Sequence, residues 1–164
     1  MLEQPIKFKS IVIETTNICN ASCMMCYQDS SPKGSKINGI KTLPLEKIKK
    51  ILKHAISLQY LDSAVHFAGG ETFLHWEKTL EIIKYSKKLG FLEISATTNG
   101  FWAKNNRTLP KKVTELKNAG LSRIELSFDY WHNIYIEQET IENCIIAFHE
   151  VGLPLTLRLP PVSG

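Results

Sequence analysis

Three glycines recur along the second half of the chain at intervals of about thirty residues, and this repeat constrains the fold more than any other feature. Gly90, Gly120 and Gly152 each follow a segment with helical spacing of apolar residues, and each precedes a short apolar run. About thirty residues is the length of one strand–helix unit, and repeated units of this kind imply a parallel sheet. Right-handed crossovers then curl such a sheet into a barrel or an open doubly wound sheet.

Hydrophobic periodicity predicts an α/β chain of five strands and four helices. The strands are predicted at residues 8–15, 63–68, 92–98, 122–128 and 155–159, and the helices at 44–58, 76–89, 110–119 and 139–151. The polar segment 27–43, rich in Ser, Gly and Lys, is predicted to be a loop. In a barrel, chemistry gathers where strands end and helices begin. The residues that follow the strands are therefore the first functional candidates.

The segment after the first strand carries three cysteines within eight residues. Cys19, Cys23 and Cys26 have the spacing C-x3-C-x2-C. Thiolates this close can surround one metal centre, and iron–sulfur clusters use runs of this kind. A zinc knuckle needs a fourth Cys or His at regular spacing, and a ferredoxin normally shows C-x2-C-x2-C with a further cysteine; neither pattern is present. Three ligands for a cluster that usually takes four leave one iron open for chemistry.

Short polar or glycine-rich motifs stand at the ends of the next three strands. They are Gly69-Gly70-Glu71 directly after the second strand, Thr97-Thr98-Asn99-Gly100 at the end of the third, and Ser127-Phe128-Asp129 at the end of the fourth. Paired glycines let a backbone approach a ligand closely, and a carboxylate binds an ammonium through charge-assisted hydrogen bonds. Taken alone, the glycine-rich motifs are equally typical of tight turns.

The spacing C-x3-C-x2-C after the first strand of a βα repeat, followed one unit later by Gly-Gly-Glu, resembles the radical S-adenosylmethionine (radical SAM) superfamily. The resemblance implies a partial TIM-type (βα)6 barrel, of which this chain would hold about five parallel strands and four helices. It also implies a [4Fe-4S] cluster held by Cys19, Cys23 and Cys26, with S-adenosyl-L-methionine on the fourth iron. In that family the reduced cluster cleaves S-adenosylmethionine to a 5′-deoxyadenosyl radical, which abstracts hydrogen from the substrate.

The resemblance also implies the remaining cofactor contacts, residue by residue. The Gly69–Glu71 motif would hold the methionine ammonium, and Ser127 and Asp129 would lie near the ribose and methionine. Met25 stands where many members carry an aromatic residue that packs near the adenine. Thr72 stands where many members carry proline. The complete set of candidate cofactor-binding residues is Met25, Gly69, Gly70, Glu71, Thr98, Asn99, Ser127, Asp129 and Arg158.

Four further residues allow more than one interpretation. His132 is either a polar active-site residue or a turn histidine hydrogen-bonded to Asp129, and we expect the second. Arg158 either reaches the carboxylate of S-adenosylmethionine or lies on the surface. Trp102 could touch substrate or pack locally. Cys144 falls among apolar residues at helical spacing, which predicts a buried core thiol and not a fourth ligand.

Composition excludes several classes of protein. The chain has 164 residues, of which 43% are hydrophobic and 22% charged, as expected for one globular domain and not for a disordered chain. A net charge of only +4 gives no clear nucleic-acid signature, and no apolar run is long enough to span a bilayer. The first ten residues lack the apolar region of a secretory signal, and four cysteines suit a reducing compartment. We therefore expect a cytoplasmic protein.

The leading hypothesis is a radical SAM enzyme or its core domain, which by the resemblance would bind S-adenosylmethionine and take electrons from a donor such as flavodoxin or ferredoxin. We expect residues 1–164 to form a single core domain that is incomplete at its C-terminal end, so that a partner chain could complete the barrel. One alternative is a non-catalytic, cluster-binding accessory chain. Another is an iron–sulfur module that only transfers electrons. The shared motifs belong to the cofactor and leave the substrate open.

Overall fold

A computed structural model describes residues 7–58 and 61–159 of the chain. Five parallel strands form one sheet in chain order: β1 Ile11–Glu14, β2 Ala64–Ala68, β3 Glu93–Thr98, β4 Arg123–Ser127 and β5 Leu155–Arg158. The helices are α1 Leu45–Ile56, α2 Trp76–Leu89, α3 Leu109–Ala119, α4 Tyr130–Asn133 and α5 Gln138–Val151. The prediction of an α/β fold with five parallel strands is confirmed. Within the described residues the sheet is not closed into a full barrel.

The three glycines of the repeat end α2, α3 and α5, as predicted. Gly90, Gly120 and Gly152 have φ angles of 94°, 111° and 66°. The residue after each glycine bonds back into the last helical turn; Phe91, for example, donates its N–H to the Ser86 carbonyl at 3.2 Å. This arrangement satisfies carbonyls at the helix end and buries the apolar residue that follows. Each glycine thus directs the chain from a helix into the next strand.

Alternate residues of the strands face two different environments. One face of the sheet is apolar and packs against the helices; its buried residues include Val65, Phe67, Ile94, Ala96, Ile124 and Leu126. On that side α1 contacts α2, α2 contacts α3, and α3 contacts α5. The opposite face is polar and lines a cavity; its residues include His66, Ser95, Thr97, Arg123 and Glu125. The core therefore lies between sheet and helices, and the other face is free to form a site.

The structure differs from the prediction mainly in short elements. The sequence does not predict α4, because four residues are too few to show helical periodicity. The Asp129 side chain caps this single turn by accepting the N–H groups of Trp131 and His132 at 2.7 and 3.0 Å. Short 3-10 turns also follow β2 and β3, at Thr72–His75 and Phe101–Ala103. No helix in the described part of the chain is long and apolar enough to cross a membrane.

The segment 27–43 folds onto the residues that follow β1. The N–H of Asn17 donates to the Lys41 carbonyl at 2.9 Å, and the N–H of Cys19 donates to the Ser31 carbonyl at 3.1 Å. Asn17 also binds this segment through its side chain, which donates to the Gly39 carbonyl at 2.7 Å. These hydrogen bonds hold segment 27–43 against the start of the cysteine-bearing loop.

Candidate functional site

A cavity of about 1040 Å³ opens on the polar face of the sheet, toward the carboxyl ends of the strands. This is just above the usual range for small-molecule pockets, about 300–1,000 Å³. The three cysteines of the C-x3-C-x2-C motif line it. So do eight of the nine candidate cofactor residues, namely Met25, Gly69, Gly70, Thr98, Asn99, Ser127, Asp129 and Arg158. The sheet thus brings together residues that are more than a hundred positions apart in the chain.

N–H groups of the protein point at the sulfurs of two cysteines. The backbone N–H of Ala21 donates to Cys19 Sγ at 3.4 Å, and that of Ser30 donates to Cys26 Sγ at 3.4 Å. The side-chain amide of Asn99 donates to Cys19 Sγ at 3.6 Å. Such donors stabilise a thiolate, which is the form of cysteine that binds a metal. Hydrogen bonds to sulfur also occur around iron–sulfur clusters, where they tune the reduction potential.

Burial makes the thiols of Cys19 and Cys23 weak acids. It raises the pKa of Cys19 to about 12, although the N–H of Ala21 opposes the rise. It raises the pKa of Cys23 to about 11, and the carboxylate of Asp129 adds to the rise. When a thiolate becomes a ligand, the positive charge of iron offsets the free-energy cost of deprotonating a buried thiol.

The three thiols lie on one cavity-lining loop, and N–H donors point at the sulfurs of Cys19 and Cys26. In residues 7–58 and 61–159, no three side chains of the His, Cys, Asp or Glu type come together as the ligands of one ion do. In an iron–sulfur cluster each cysteine binds a different iron, so the cysteines that hold a cluster need not converge on one point. The three thiols are therefore donors of the kind that such a cluster uses.

Gly69 and Gly70 lie against the backbone that leads into the cysteine loop. The N–H of Gly70 donates to the Thr16 carbonyl at 2.6 Å, and the N–H of Glu71 donates to the Ile18 carbonyl at 2.9 Å. A Cβ atom on Gly70 would lie 2.2 Å from the Ile18 carbonyl oxygen, and one on Gly69 would lie 2.3 Å from that of Thr16. Glycine is therefore required here because two backbone segments touch, before any ligand is considered.

Glu71 is the one candidate cofactor residue that does not line the cavity. Its side chain is buried. The N–H of Phe73 and the hydroxyl of Thr98 donate to Oε1 at 3.0 and 2.8 Å, and the N–H of Asn99 donates to Oε2 at 2.8 Å. Glu71 thus ties the loop after β2 to the loop after β3. Burial raises the pKa of Glu71 to about 7, and the three hydrogen bonds limit this increase.

Glu71 is expected to make the stability of the chain depend on pH. The folded chain releases the Glu71 proton near pH 7 and the unfolded chain near pH 4.5, so only the folded state holds it between these values. The free energy of unfolding should therefore fall as pH rises through this window, by up to about 3 kcal/mol. Urea unfolding at several pH values should show this fall in the wild type and its loss in Glu71→Gln. An exposed control, Glu139→Gln, should keep the wild-type pH dependence; equal slopes in all three proteins would contradict the assignment.

Residues at the carboxyl ends of β4 and β5 form a polar edge of the cavity. Asp129 Oδ2 lies 2.6 Å from His132 Nδ1, so the hydrogen bond that we expected for this histidine is present. His132 also lines the cavity. Ser127 and Arg158 are partners in the β4–β5 register, and Arg158 Nη1 lies 3.3 Å from Glu125 Oε2. The edge thus combines a hydroxyl, a guanidinium and a carboxylate–imidazole pair.

Trp102 and Cys144 belong to the core. The indole N–H of Trp102 donates to Thr98 Oγ1 at 3.0 Å, and its ring packs against Phe73 and Trp76. Trp102 therefore packs locally. Cys144 is fully buried on α5, which confirms the prediction of a core thiol.

The sequence interpretation missed the residues on the polar face of the sheet. Five of them line the cavity below the cofactor motifs: His66, Ser95, Thr97, Arg123 and Glu125. They occupy alternate positions of β2, β3 and β4. The available signal was this alternation itself, since a polar residue at every second strand position marks the face that is turned away from the core.

Comparison with known proteins agrees with the site. The Radical SAM superfamily profile matches residues 13–163. The chain is 32% identical over 157 residues to 7,8-dihydro-6-hydroxymethylpterin dimethyltransferase of Methanocaldococcus jannaschii. This match covers 88% of this chain and 29% of that protein. It is 30% identical over 138 residues to GTP 3',8-cyclase of Vibrio parahaemolyticus. This second match covers 84% of this chain and 38% of that protein.

The chain therefore spans about a third of the length of these two relatives. The profile match, in contrast, extends over nearly all of the chain and includes the three cysteines, the Gly-Gly-Glu motif, the end of β1 and the whole of β2 to β5. Proteins of this family bind a [4Fe-4S] cluster and S-adenosylmethionine. On the evidence of its motifs, its parallel sheet and this match, the chain belongs to the radical SAM superfamily.

Proposed function

We propose that this chain is the core of an enzyme that holds a [4Fe-4S] cluster through Cys19, Cys23 and Cys26 and cleaves S-adenosylmethionine reductively. The observation that carries the proposal is the meeting of the cysteine loop and the Gly69–Gly70 loop at one cavity, with N–H donors directed at two of the sulfurs. When bound, the cluster supplies the electron that breaks a carbon–sulfur bond of the sulfonium. The protein supplies the position, the hydrogen bonds and the shield from water.

The cavity-lining residues would hold S-adenosylmethionine beside the cluster. Met25 is 44% exposed and is adaptable enough to pack on the adenine. The Ser127 hydroxyl suits a ribose hydroxyl, and the Arg158 guanidinium suits a carboxylate. The Gly69–Gly70 backbone would receive the methionine ammonium.

Three of the candidate cofactor residues would contribute by positioning neighbouring protein groups. The polar side-chain atoms of Glu71, Thr98 and Asp129 are all bonded to protein groups. We assign to Glu71 and Thr98 the task of holding the loops after β2 and β3 in register. Asp129 orients the His132 ring at the cavity edge and would meet the ribose only through its remaining lone pairs.

Production of 5′-deoxyadenosine tests the proposal directly. The chain is reconstituted with iron and sulfide without oxygen, reduced with dithionite and supplied with S-adenosylmethionine. Formation of 5′-deoxyadenosine together with methionine supports the proposal, and an intact cluster that yields neither product contradicts it for this chain. In cells the reductant would be an electron donor such as flavodoxin or ferredoxin.

The alternatives give different results in the same experiment. In an electron-transfer module, the cluster spectrum would not respond to S-adenosylmethionine. In an accessory chain, the spectrum would respond and no cleavage would follow until a partner chain was added.

The two relatives are named for a pterin and for GTP, both of which contain fused nitrogen heterocycles. We propose a substrate of comparable chemistry for this chain.

Removal of the Asn99 amide is expected to lower the reduction potential of the cluster. The Asn99 side chain donates to Cys19 Sγ at 3.6 Å and to Asn20 Oδ1 at 2.9 Å. A donor to a cluster thiolate stabilises the reduced state, so Asn99→Ala should shift the midpoint potential to more negative values. A redox titration followed by electron paramagnetic resonance, without S-adenosylmethionine, measures the shift. The surface variant Asn106→Ala should leave the potential unchanged; an unchanged potential in Asn99→Ala would refute the role of its amide.

A further inference from the structure

A second cavity, of about 740 Å³, lies between the end of β1, the segment 27–43 and the start of α1. Its volume falls within the usual range for small-molecule pockets, about 300–1,000 Å³. None of the three motif cysteines and none of the candidate cofactor residues lines it. Tyr27 lines both this second cavity and the cavity on the polar face of the sheet, which we call the cofactor cavity. The second cavity is therefore a separate place for a ligand.

Positive charge predominates in the second cavity. Lys41 and Lys47 line it, and within the described part of the chain neither of them forms an ion pair. The Lys41 Nζ atom donates to Asn38 Oδ1 at 3.5 Å. Among the described residues that line the cavity, the one carboxylate is that of Glu14, which accepts the Tyr27 hydroxyl at 3.4 Å. Two ammonium groups against one carboxylate favour an anionic ligand.

The side-chain amide of Gln28 is an independent indication of a ligand. Gln28 lines the second cavity, and its Nε2 atom is buried without a hydrogen-bond partner in the described part of the chain. Its Oε1 atom accepts the Ser30 hydroxyl at 3.5 Å, which is long for such a bond. A buried donor that is left unpaired costs free energy. Because the amide is held so weakly, a small rotation of the side chain would turn Nε2 toward a ligand oxygen in the cavity.

The start of α1 adds to the preference for an anion. Pro44 precedes the helix and lines the cavity, and no side chain caps the first turn. The N–H groups of a first helical turn carry partial positive charge. They would act together with the two lysines and the Gln28 amide, so three kinds of donor adjoin one cavity.

The wall of the second cavity also has an apolar part. The Tyr27 ring is 80% exposed and the Ile40 side chain 66% exposed, and both line the cavity together with Leu43. An aromatic ring on a ligand would cover these side chains and remove apolar surface from water. The cavity thus offers an apolar wall beside its cationic groups.

We propose that the second cavity binds a small molecule that joins an anionic group, a phosphate or a carboxylate, to an apolar ring. The anionic group would lie near Lys41, Lys47 and the start of α1, and the ring against Tyr27 and Ile40. The site goes beyond the function proposed above and does not depend on it, because no cluster ligand contributes to this cavity.

The second cavity adjoins the loop that would hold the cluster. Tyr27 and Gln28 directly follow Cys26, the third cysteine of the motif. The N–H of Asp29 donates to the Cys26 carbonyl at 3.0 Å, and that of Ser30 donates to Cys26 Sγ at 3.4 Å. A ligand in the second cavity would therefore contact the two residues between Cys26 and these donors without entering the cofactor cavity.

Isothermal titration calorimetry of the reconstituted chain tests the proposal. Phenyl phosphate and benzoate carry both parts of the proposed ligand, inorganic phosphate carries only an anion, and benzyl alcohol carries only a ring. Saturable one-to-one binding of phenyl phosphate or benzoate, tighter than that of both partial probes, supports the proposal, and the tighter of the two identifies the preferred anion. No binding of either complete probe, or equally tight binding of a partial probe, overturns the proposal.

Matched variants test the groups that are assigned to the anion. Lys41→Met and Lys47→Met each remove one charge and keep a long side chain, and each should weaken binding of the tighter probe about tenfold. Gln28→Met should weaken it as well, and the lysine variants carry the test if that protein does not fold. The control Lys50→Met removes an exposed lysine of α1 that does not line the cavity, and it should bind as the wild type does. Wild-type affinity in both Lys41→Met and Lys47→Met would refute the site.

The variant Arg158→Met distinguishes the two cavities. Arg158 lines the cofactor cavity and not the second one, so unchanged binding of the probe in this variant supports the proposed site. Loss of binding would place the anion in the cofactor cavity and overturn the proposal. Production of 5′-deoxyadenosine is measured separately, and its absence would leave the second site intact.

Discussion

Cys23→Ala should abolish binding of the iron–sulfur cluster. We expect the iron content after reconstitution to fall from about four per chain to less than one, because the two remaining cysteines cannot enclose the cluster on this loop. Cys23 lines the cavity between the other two cysteines of the motif. Iron and sulfide analysis, together with the visible spectrum, measures the loss. Production of 5′-deoxyadenosine should disappear with the iron.

Cys144→Ala is the matched control for this variant. It removes a thiol of the same kind that is fully buried on α5, away from the cavity. We expect a loss of about 1 kcal/mol in the free energy of unfolding, because a small cavity is left in the core, and no loss of iron. Full iron content in Cys23→Ala, or loss of iron in Cys144→Ala, would contradict the assignment of ligands.

Local patterns predicted the order of the five strands and the four long helices correctly for a physical reason. Helix ends at Gly90, Gly120 and Gly152 depend on the backbone freedom of one residue and on the apolar residue that follows it, and both can be read directly. The cysteine spacing is equally local. These features do not depend on how distant parts of the chain pack.

The chemistry of the Gly-Gly-Glu motif depends on distant contacts and could not be predicted in the same way. The resemblance implies that the Glu71 carboxylate meets the methionine ammonium, and the structure adds that this carboxylate accepts hydrogen bonds from Phe73, Thr98 and Asn99. Two of these donors lie at the end of β3 and are near Glu71 only because β2 and β3 are parallel neighbours. The pairing of loops, and not the motif alone, sets the role of each side chain.

The motif as a whole therefore connects three loops. Its glycines contact the backbone after β1, and its carboxylate holds the loop after β3. Through Asn99, which also donates to Cys19 Sγ, the same contacts reach the first cysteine. A change in the glycines should consequently disturb the cysteine loop as well as the motif itself.

Gly70→Ala should be strongly damaging at this junction. The added Cβ would lie 2.2 Å from the Ile18 carbonyl oxygen and 2.6 Å from its carbon, and backbone atoms cannot rotate away as a side chain can. The loops must separate, which breaks the hydrogen bonds from Gly70 to Thr16 and from Glu71 to Ile18. We expect the free energy of unfolding to fall by about 3 kcal/mol or more, together with loss of the cluster. Urea unfolding and iron analysis measure the two effects.

Gly90→Ala distinguishes crowding from backbone strain. Gly90 has a φ angle of 94°, which alanine rarely adopts, yet no atom lies within 4 Å of a Cβ at this position. Its substitution should cost about 1–2 kcal/mol and leave iron binding intact. Gly70 has no such φ angle, so any larger loss there arises from contact between the two loops. If Gly70→Ala were no more damaging than Gly90→Ala, the close approach of these backbones would not be what holds the cysteine loop in place.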